Sequence, residues 1–145
     1  MPDLKQKIYG LIKDYQLASL ATVAEDGKPW VRYVMLEGDE ELVLKFVTPL
    51  KSRKVDHIRG TQDVHILCGA DGAGASKPYL QIQGRAEITR DETLRKGAWK
   101  DFLSKYFAGP DDPNYAVGIV RPYRIELYGM GMGSLQPEVW EESEE

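Results

Sequence analysis

Phe46 to Ile58 reads FVTPLKSRKVDHI. It opens as a β-rich apolar run, meets Thr48-Pro49, and then packs Lys51, Ser52, Arg53 and Lys54 into what reads as the first turn of a helix. That order is a physical conflict. The start of a helix is the positive end of its dipole and suits Asp and Glu, yet three cations stand there. Two resolutions are open. A bound anion fits, because free backbone N–H groups, a hydroxyl and cationic side chains together suit a phosphate. A solvated surface turn fits as well, because exposed like charges cost only about 0.2–0.5 kcal/mol per pair.

Outward from this turn, the chain reads as strands joined mostly by hairpins. Leu4, Ile8, Leu11 and Ile12 recur at helical spacing, which predicts an amphipathic helix over 3–15 with Asp3 as its N-cap. LASLATV (17–23) reads as a buried strand, Asp26-Gly27 as a hairpin turn, and WVRYVML (30–36) as the returning strand. LVLKFVT (42–48) follows, then a helix over about 50–60 whose N-cap is either Thr48, with Pro49 in first position, or Ser52. VHILCG (64–69) is the next strand and ADGAGASKP (70–78) a Gly- and Ala-rich loop without dinucleotide-fingerprint spacing. YLQIQGRAEIT (79–89) alternates like a strand, with Gly84 marking a bulge. Residues 91–107 read as one helix with Trp99, Phe102, Leu103 and Tyr106 on a stripe. YAVGIVRPYRIELYGMGMG (115–133) reads as one long interrupted strand or two short ones, and the acidic PEVWEESEE as a frayed end. Six or more strands with three helices predict a mainly β protein, an antiparallel barrel with helices outside, spanning 1–145 as one domain with an acidic tail at 134–145.

The totals narrow the function. The 145 residues are 42% hydrophobic and 29% charged, which is ordinary globular material able to bury a core. A net charge of −4 argues against nucleic-acid binding, which needs a basic field. The single cysteine, Cys68, excludes an internal disulfide and suits a cytoplasmic protein; it reads as a small buried residue rather than a nucleophile. No apolar run approaches the roughly 20 residues of a membrane span, and the N-terminal stretch lacks a signal-peptide core. His57 and His65, the two histidines, show no ligand spacing, so no metal site is expected. Nor is there a Ser-His-Asp set or a carboxylate pair suited to hydrolysis. Glu126 reads as the partner of a neighbouring Arg. Trp30, Trp99 and Trp140 read as core, interface and tail aromatics, with cover over a ligand or partner a second reading for Trp140.

GKPWVRYVML, FVTPLKSRKVDHIR, YLQIQGRAEI and RPYRIELYG, in this order and spacing, resemble the FMN-binding split barrel of the pyridoxamine 5'-phosphate oxidase superfamily, and most of all its short general-stress-protein branch. The resemblance covers about residues 5–130. It implies an antiparallel six-stranded FMN-binding split barrel, a homodimer with FMN at the interface, and a small-molecule electron donor or acceptor. It also implies that Arg32, Ser52, Arg53 and Lys54 hold the FMN phosphate. Thr48 is then expected near the ring and ribityl chain, with the backbone of Val34 and Met35 along the isoalloxazine edge. The register of a family Gln falls on Tyr79, where Gln81 or Gln83 on the same face can stand in for it, and Tyr128 stands in for a family Trp. Catalytic residues stay unassigned.

Two departures bear on activity. Glu37 occupies the place of a family Lys, and the Arg-x-His that grips the vitamin substrate is missing from MGMGSLQPEVW. The resemblance therefore implies an FMN flavoprotein without the vitamin oxidation. Either a flavin-dependent oxidoreductase of another small substrate or a non-catalytic flavin-binding stress or sensor protein satisfies it. A split barrel that uses haem or a deazaflavin is a third reading.

Overall fold

A computed structural model describes residues 2–69, 77–129 and 136–143. Most of the predicted 70–78 loop and the Met- and Gly-rich 130–133 stretch lie outside the described residues.

Helix α1 (Leu4–Ile12) starts on a capping box. The Asp3 carboxylate accepts from the Gln6 N–H at 2.8 Å, and the Gln6 side chain accepts from the Asp3 N–H at 2.9 Å. Ile8 and Ile12 are then buried against the sheet. β1 (Gln16–Val23) and β2 (Pro29–Gly38) form a hairpin whose turn uses Gly27 at φ +83°, a conformation that costs glycine little. β3 (Leu44–Pro49) leads into α2 (Arg53–Gly60), and β4 (Asp63–Cys68) and β5 (Tyr79–Thr89) follow. Next come α3 (Glu92–Ala98), a 3₁₀ helix (Asp101–Lys105), β6 (Tyr115–Tyr128) and β7 (Glu138–Glu141).

The sheet order is β3-β2-β1-β4-β5-β6-β7, with a further β3–β6 pairing that closes the first six strands into an antiparallel barrel. Closure leaves fewer exposed edges than an open sheet would have. The bulge expected at Gly84 is there: the β5–β6 register shifts between Gln83 and Gly84, opposite Pro122, which has no N–H to give the ladder. Along the closing seam Phe46 faces Gly118, and a Cβ on Gly118 would run into the Phe46 ring. Leu20, Leu36, Leu44, Phe46, Ile66, Leu80, Ile82, Val120 and Ile125 fill the interior together with Ile8 and Ile12. Cys68 is buried, and burial pushes its thiol up to about 12. Among the described residues no helix is long and apolar enough to cross a membrane.

Two expectations are corrected. The helix over 91–107 is broken, because Trp99 leaves helical geometry (φ −64°, ψ 133°) and its ring packs edge-on against Tyr115 at 5.4 Å. Leu103 and Phe107, rather than Phe102 and Tyr106, then fill the small cluster under Tyr115, Val117 and Ile119. The tail is not frayed throughout. Glu138–Glu141 form β7, in which Val139 pairs with Glu126 and Trp140 with Ile125 of β6, while Glu138 meets Lys7 at 3.2 Å and Glu141 meets Arg124 at 3.0 Å. Two of the acidic residues that suggested a solvated tail, Glu138 and Glu141, are paired with those cations.

Candidate functional site

The site begins where the barrel wall divides. β2 and β3 share a ladder only between Leu36–Gly38 and Leu44–Phe46. Below that, Val47–Pro49 pair with β6 and Pro29–Met35 with β1, so the β3-facing edge of β2 has no ladder partner among the described residues. Val34 and Met35 lie on this open edge, Val34 packed into the core and Met35 half-buried. Thr48 lies across the split at the end of β3, 1% exposed, its hydroxyl donating to the Pro49 carbonyl at 3.1 Å.

The turn into α2 is tied down by Leu50 N–H to the Asn114 carbonyl (2.7 Å), Lys51 N–H to Asn114 Oδ1 (3.1 Å) and Ser52 N–H to the Pro49 carbonyl (3.0 Å). Of the two N-cap choices the structure takes Ser52, but its side chain does not cap the helix. The Ser52 hydroxyl instead accepts from Lys54 Nζ at 2.8 Å, and the Thr48 hydroxyl accepts from the same ammonium at 3.0 Å. Lys54 is thereby drawn back over the helix start. From β2, Arg32 Nη1 donates to Thr22 Oγ1 at 2.6 Å and lies 3.3 Å from the Leu20 carbonyl and 3.4 Å from that of Trp30. Arg53 is exposed and stacks over the Trp30 ring, its Cζ 4.6 Å from the ring centre.

The structure therefore gathers Arg32, Thr48, Ser52, Arg53 and Lys54 at one mouth of the barrel. Among the described residues, none of the three cations is ion-paired to a carboxylate. Burial, and then the charge of Arg53, lowers the Arg32 guanidinium below its ordinary range. Burial, and then the charge of Arg32, lowers the Lys54 ammonium. Cations that repel one another and lack a carboxylate partner are a chemistry that suits an anion. Beside them, Ala24, Glu25, Asp26, Trp30, Arg53, Asp56 and His57 line an open cleft of about 600 Å³.

Two residues of this cluster escaped the sequence reading. Thr22, 1% exposed, faces inward after Ala18 and Leu20, and its hydroxyl meets His57 Nδ1 at 2.8 Å. A hydroxyl on the apolar face of a buried strand was the available signal. His57 is buried one turn into α2, beyond Arg53 and Lys54.

Gln81 and Tyr128 are not brought to this cluster within the chain: β1 and β4 stand between β2 and the β5 strand of Gln81, and Tyr128 ends β6 beside Tyr79, whereas Thr48 pairs with Ala116 at the other end of β6. Gln81 and Tyr128 project from the outer wall. There Tyr128 stacks on Tyr79 (4.9 Å, 6°) and donates to Glu126 at 3.0 Å, and Glu126 is paired with Arg124 at 2.7 Å. Hydrogen bonds from Arg124 and then Tyr128 hold the Glu126 carboxyl below its ordinary range, so it is an acceptor rather than an acid. His65, Gln81, Gln83, Arg124 and Glu126 line a cavity of about 280 Å³ on this wall. One ladder row crosses it: Tyr33, Ser19, Leu67, Gln81, Glu126, Val139. Tyr33 (72% exposed), Leu67 and Val139 on that row, with Val31 and Leu17 beside it, form an exposed apolar surface. Glu37, in the place of the family Lys, is paired with Lys100 at 3.4 Å.

Comparison with known proteins agrees with this geometry. A family model described as pyridoxamine 5'-phosphate oxidase matches residues 4–129. General stress protein 26 of Bacillus subtilis is 33% identical over 129 residues, covering 89% of this chain and 91% of that protein. The crystal structure of general stress protein 26 from Bacillus anthracis superposes with a TM-score of 0.80 at 29% identity, over 95% of this chain and 98% of that one. The pyridoxine/pyridoxamine 5'-phosphate oxidase of Proteus mirabilis is 39% identical, but over only 64 residues, 44% of this chain and 30% of that enzyme. A closed six-stranded antiparallel barrel, divided between β2 and β3 and matched over nearly its whole length, places the chain in the pyridoxamine 5'-phosphate oxidase family.

Proposed function

We propose that this protein is an FMN-binding flavoprotein that acts as an oxidoreductase on a small-molecule electron donor or acceptor. The observation that carries the proposal is the convergence of Arg32, Arg53 and Lys54 with the Ser52 and Thr48 hydroxyls, free of carboxylate partners among the described residues. A phosphate dianion needs several donors, and charge-assisted hydrogen bonds are the strong ones. The donor set fits FMN in a second respect: the open edge of β2 at Val34 and Met35 offers main-chain groups and an apolar wall for a flat heterocycle. Bound FMN would supply the electron transfer itself, and the chain would supply binding, orientation and exclusion of water.

The second part of the proposal is a homodimer in which Gln81 and Tyr128 of one copy reach the flavin held by the other. The separation of the two residue groups within one chain supports it, as does the exposed apolar row through Tyr33 and Leu67. A cytoplasmic setting belongs to the same reading, the lone cysteine being a buried thiol.

The vitamin oxidation is not part of the proposal. Glu37 is a carboxylate where the oxidases place a cation, and its pairing with Lys100 leaves that position no cation of its own to offer a phosphorylated substrate. Titration of the protein with FMN, followed by flavin fluorescence and the absorption spectrum, tests the binding. Reduction of the bound flavin by NADH or NADPH tests the oxidoreductase; a flavin that neither nucleotide nor a small-molecule reductant bleaches leaves a binding protein without turnover. Pyridoxal 5'-phosphate formation from pyridoxine 5'-phosphate and oxygen is expected to stay well below about 1 s⁻¹, the low end of ordinary enzyme rates.

A further inference from the structure

We infer that His57 is a positioning residue for the anion-binding cluster: it accepts a hydrogen bond from the Thr22 hydroxyl and so fixes the oxygen that aims the Arg32 guanidinium. The inference rests on the proposed phosphate reading for what Arg32 meets, and on proton inventory for the rest.

Arginine carries only donors. Across the 2.6 Å contact between Arg32 Nη1 and Thr22 Oγ1 the hydroxyl oxygen must therefore accept. The one proton of that hydroxyl then needs an acceptor of its own, and His57 Nδ1 stands 2.8 Å away. The donation requires Nδ1 to be bare, which puts the ring proton on Nε2 and makes His57 a neutral imidazole. Thr22 is 1% and His57 8% exposed, so water does not readily replace either partner. The other contacts of Arg32 Nη1, to the Leu20 and Trp30 carbonyls, are longer at 3.3 and 3.4 Å. Thr22 is thus the short tether, and among the described residues Nε and Nη2 of Arg32 remain for a ligand.

The placement on the fold gives the contact a purpose. His57 belongs to α2, the helix whose first turn delivers Ser52, Arg53 and Lys54. Arg32 belongs to β2 and Thr22 to β1, on the other side of the mouth. The relay from His57 through Thr22 to Arg32 is a polar link that registers the strand cation against the helix cations. Losing it would leave Arg32 charged but free to swing, which lowers the preorganisation that phosphate affinity draws on.

The test compares FMN with riboflavin, which lacks the phosphate, in the full-length protein. His57→Leu and Thr22→Val are each expected to weaken FMN by about tenfold or more while changing riboflavin by less than about threefold. The double variant should bind FMN no worse than the weaker single one, because both remove the same relay. His57→Asn, which keeps an acceptor, should restore most of the FMN affinity. Long-range ¹H–¹⁵N spectra of the ligand-free wild type should show the Nε2–H tautomer for His57. Equal losses for FMN and riboflavin, no loss in His57→Leu, additive losses in the double variant, or an Nδ1–H or imidazolium ring at neutral pH would overturn the inference. Should the wild type fail to bind FMN, the functional reading falls, and the ring spectrum alone decides the role of His57.

Discussion

Replacing Lys54 by Met should separate binding from folding. In the ligand-free protein the Lys54 ammonium is half-buried, donates to two hydroxyls and lies close enough to Arg32 for that cation to depress its pKa. Removing it gives up the bonds to Ser52 and Thr48. The Thr48 hydroxyl keeps its donation to the Pro49 carbonyl, and the half-exposed Ser52 hydroxyl can turn to water. The removal also relieves a desolvated charge and its repulsion with Arg32. Hydrogen bonds from a charged donor are worth about 1.5–3 kcal/mol each, and the relief of the desolvated, repelled charge opposes their loss, so the stability of the ligand-free protein should fall by less than about 3 kcal/mol. Binding has no such offset. Two of the three ammonium protons are engaged by Thr48 and Ser52, and the third is left for the phosphate. One charge-assisted hydrogen bond is worth about 1.5–3 kcal/mol, which at 1.4 kcal/mol per decade predicts FMN affinity weaker by roughly 10- to 150-fold.

The assay is a pair: urea unfolding of the ligand-free protein, and fluorescence titration with FMN at fixed salt. An FMN affinity within twofold of the wild type would refute the reasoning. So would a stability loss of 3 kcal/mol or more, which would make Lys54 a structural clamp for Ser52 and Thr48 rather than a ligand group.

Three further outcomes are expected. FMN affinity should fall with rising pH from below the ordinary lysine value of 10.5, because burial and Arg32 lower the Lys54 pKa and only the ammonium binds the phosphate; Lys54→Arg should flatten that fall, measured by titration between pH 7 and 10.5. Tyr33→Asp, on the most exposed aromatic of the outer row, should shift sedimentation from dimer to monomer and weaken FMN together with it, while a wild type that sediments as a monomer with FMN bound would remove the dimer from the proposal. Gly118→Ala should destabilise by about 1–3 kcal/mol through the clash with the buried Phe46 ring, and Phe46→Leu in the same chain should recover part of it in thermal unfolding.

Where a strand is half-buried, its alternation carries its limits. The reading of YLQIQGRAEIT gave 79–89, the span β5 has, and Gly84 marked the bulge because a strand interior rarely keeps a glycine without one. The capped start of α1 was equally local, since Asp3 and Gln6 satisfy each other within one turn. The misplaced elements depend on partners far along the chain. The helical stripe through 91–107 shows that apolar residues recur, but not that Trp99 would leave the helix to meet Tyr115. EVWE has too few residues to announce a strand; it becomes one because β6 is long enough to offer Arg124–Leu127 as a template and because Lys7 and Arg124 neutralise its glutamates.

The same distinction runs through the candidate site. The cations of the Ser-Arg-Lys turn were legible because they contradict a local rule, the sign of the helix dipole. The relay through Thr22 and His57 was not, because each residue is unremarkable in its own segment and the contact exists only once β1 meets α2. Geometry also bears on the two resolutions that the sequence left open. A solvated surface turn accounts for Lys51 and Arg53, both exposed, the latter resting on Trp30. It does not account for Arg32 and Lys54. Both are partly buried, both are held by hydroxyls rather than carboxylates, and each carries a lowered pKa to which the other cations contribute. A surface turn has no reason to keep desolvated cations in that state, since side chains this long can reach water by rotation. Hydroxyls that hold them inward oppose that escape, and under the proposed function an arrangement unfavourable in the free protein would become favourable when the FMN phosphate enters it.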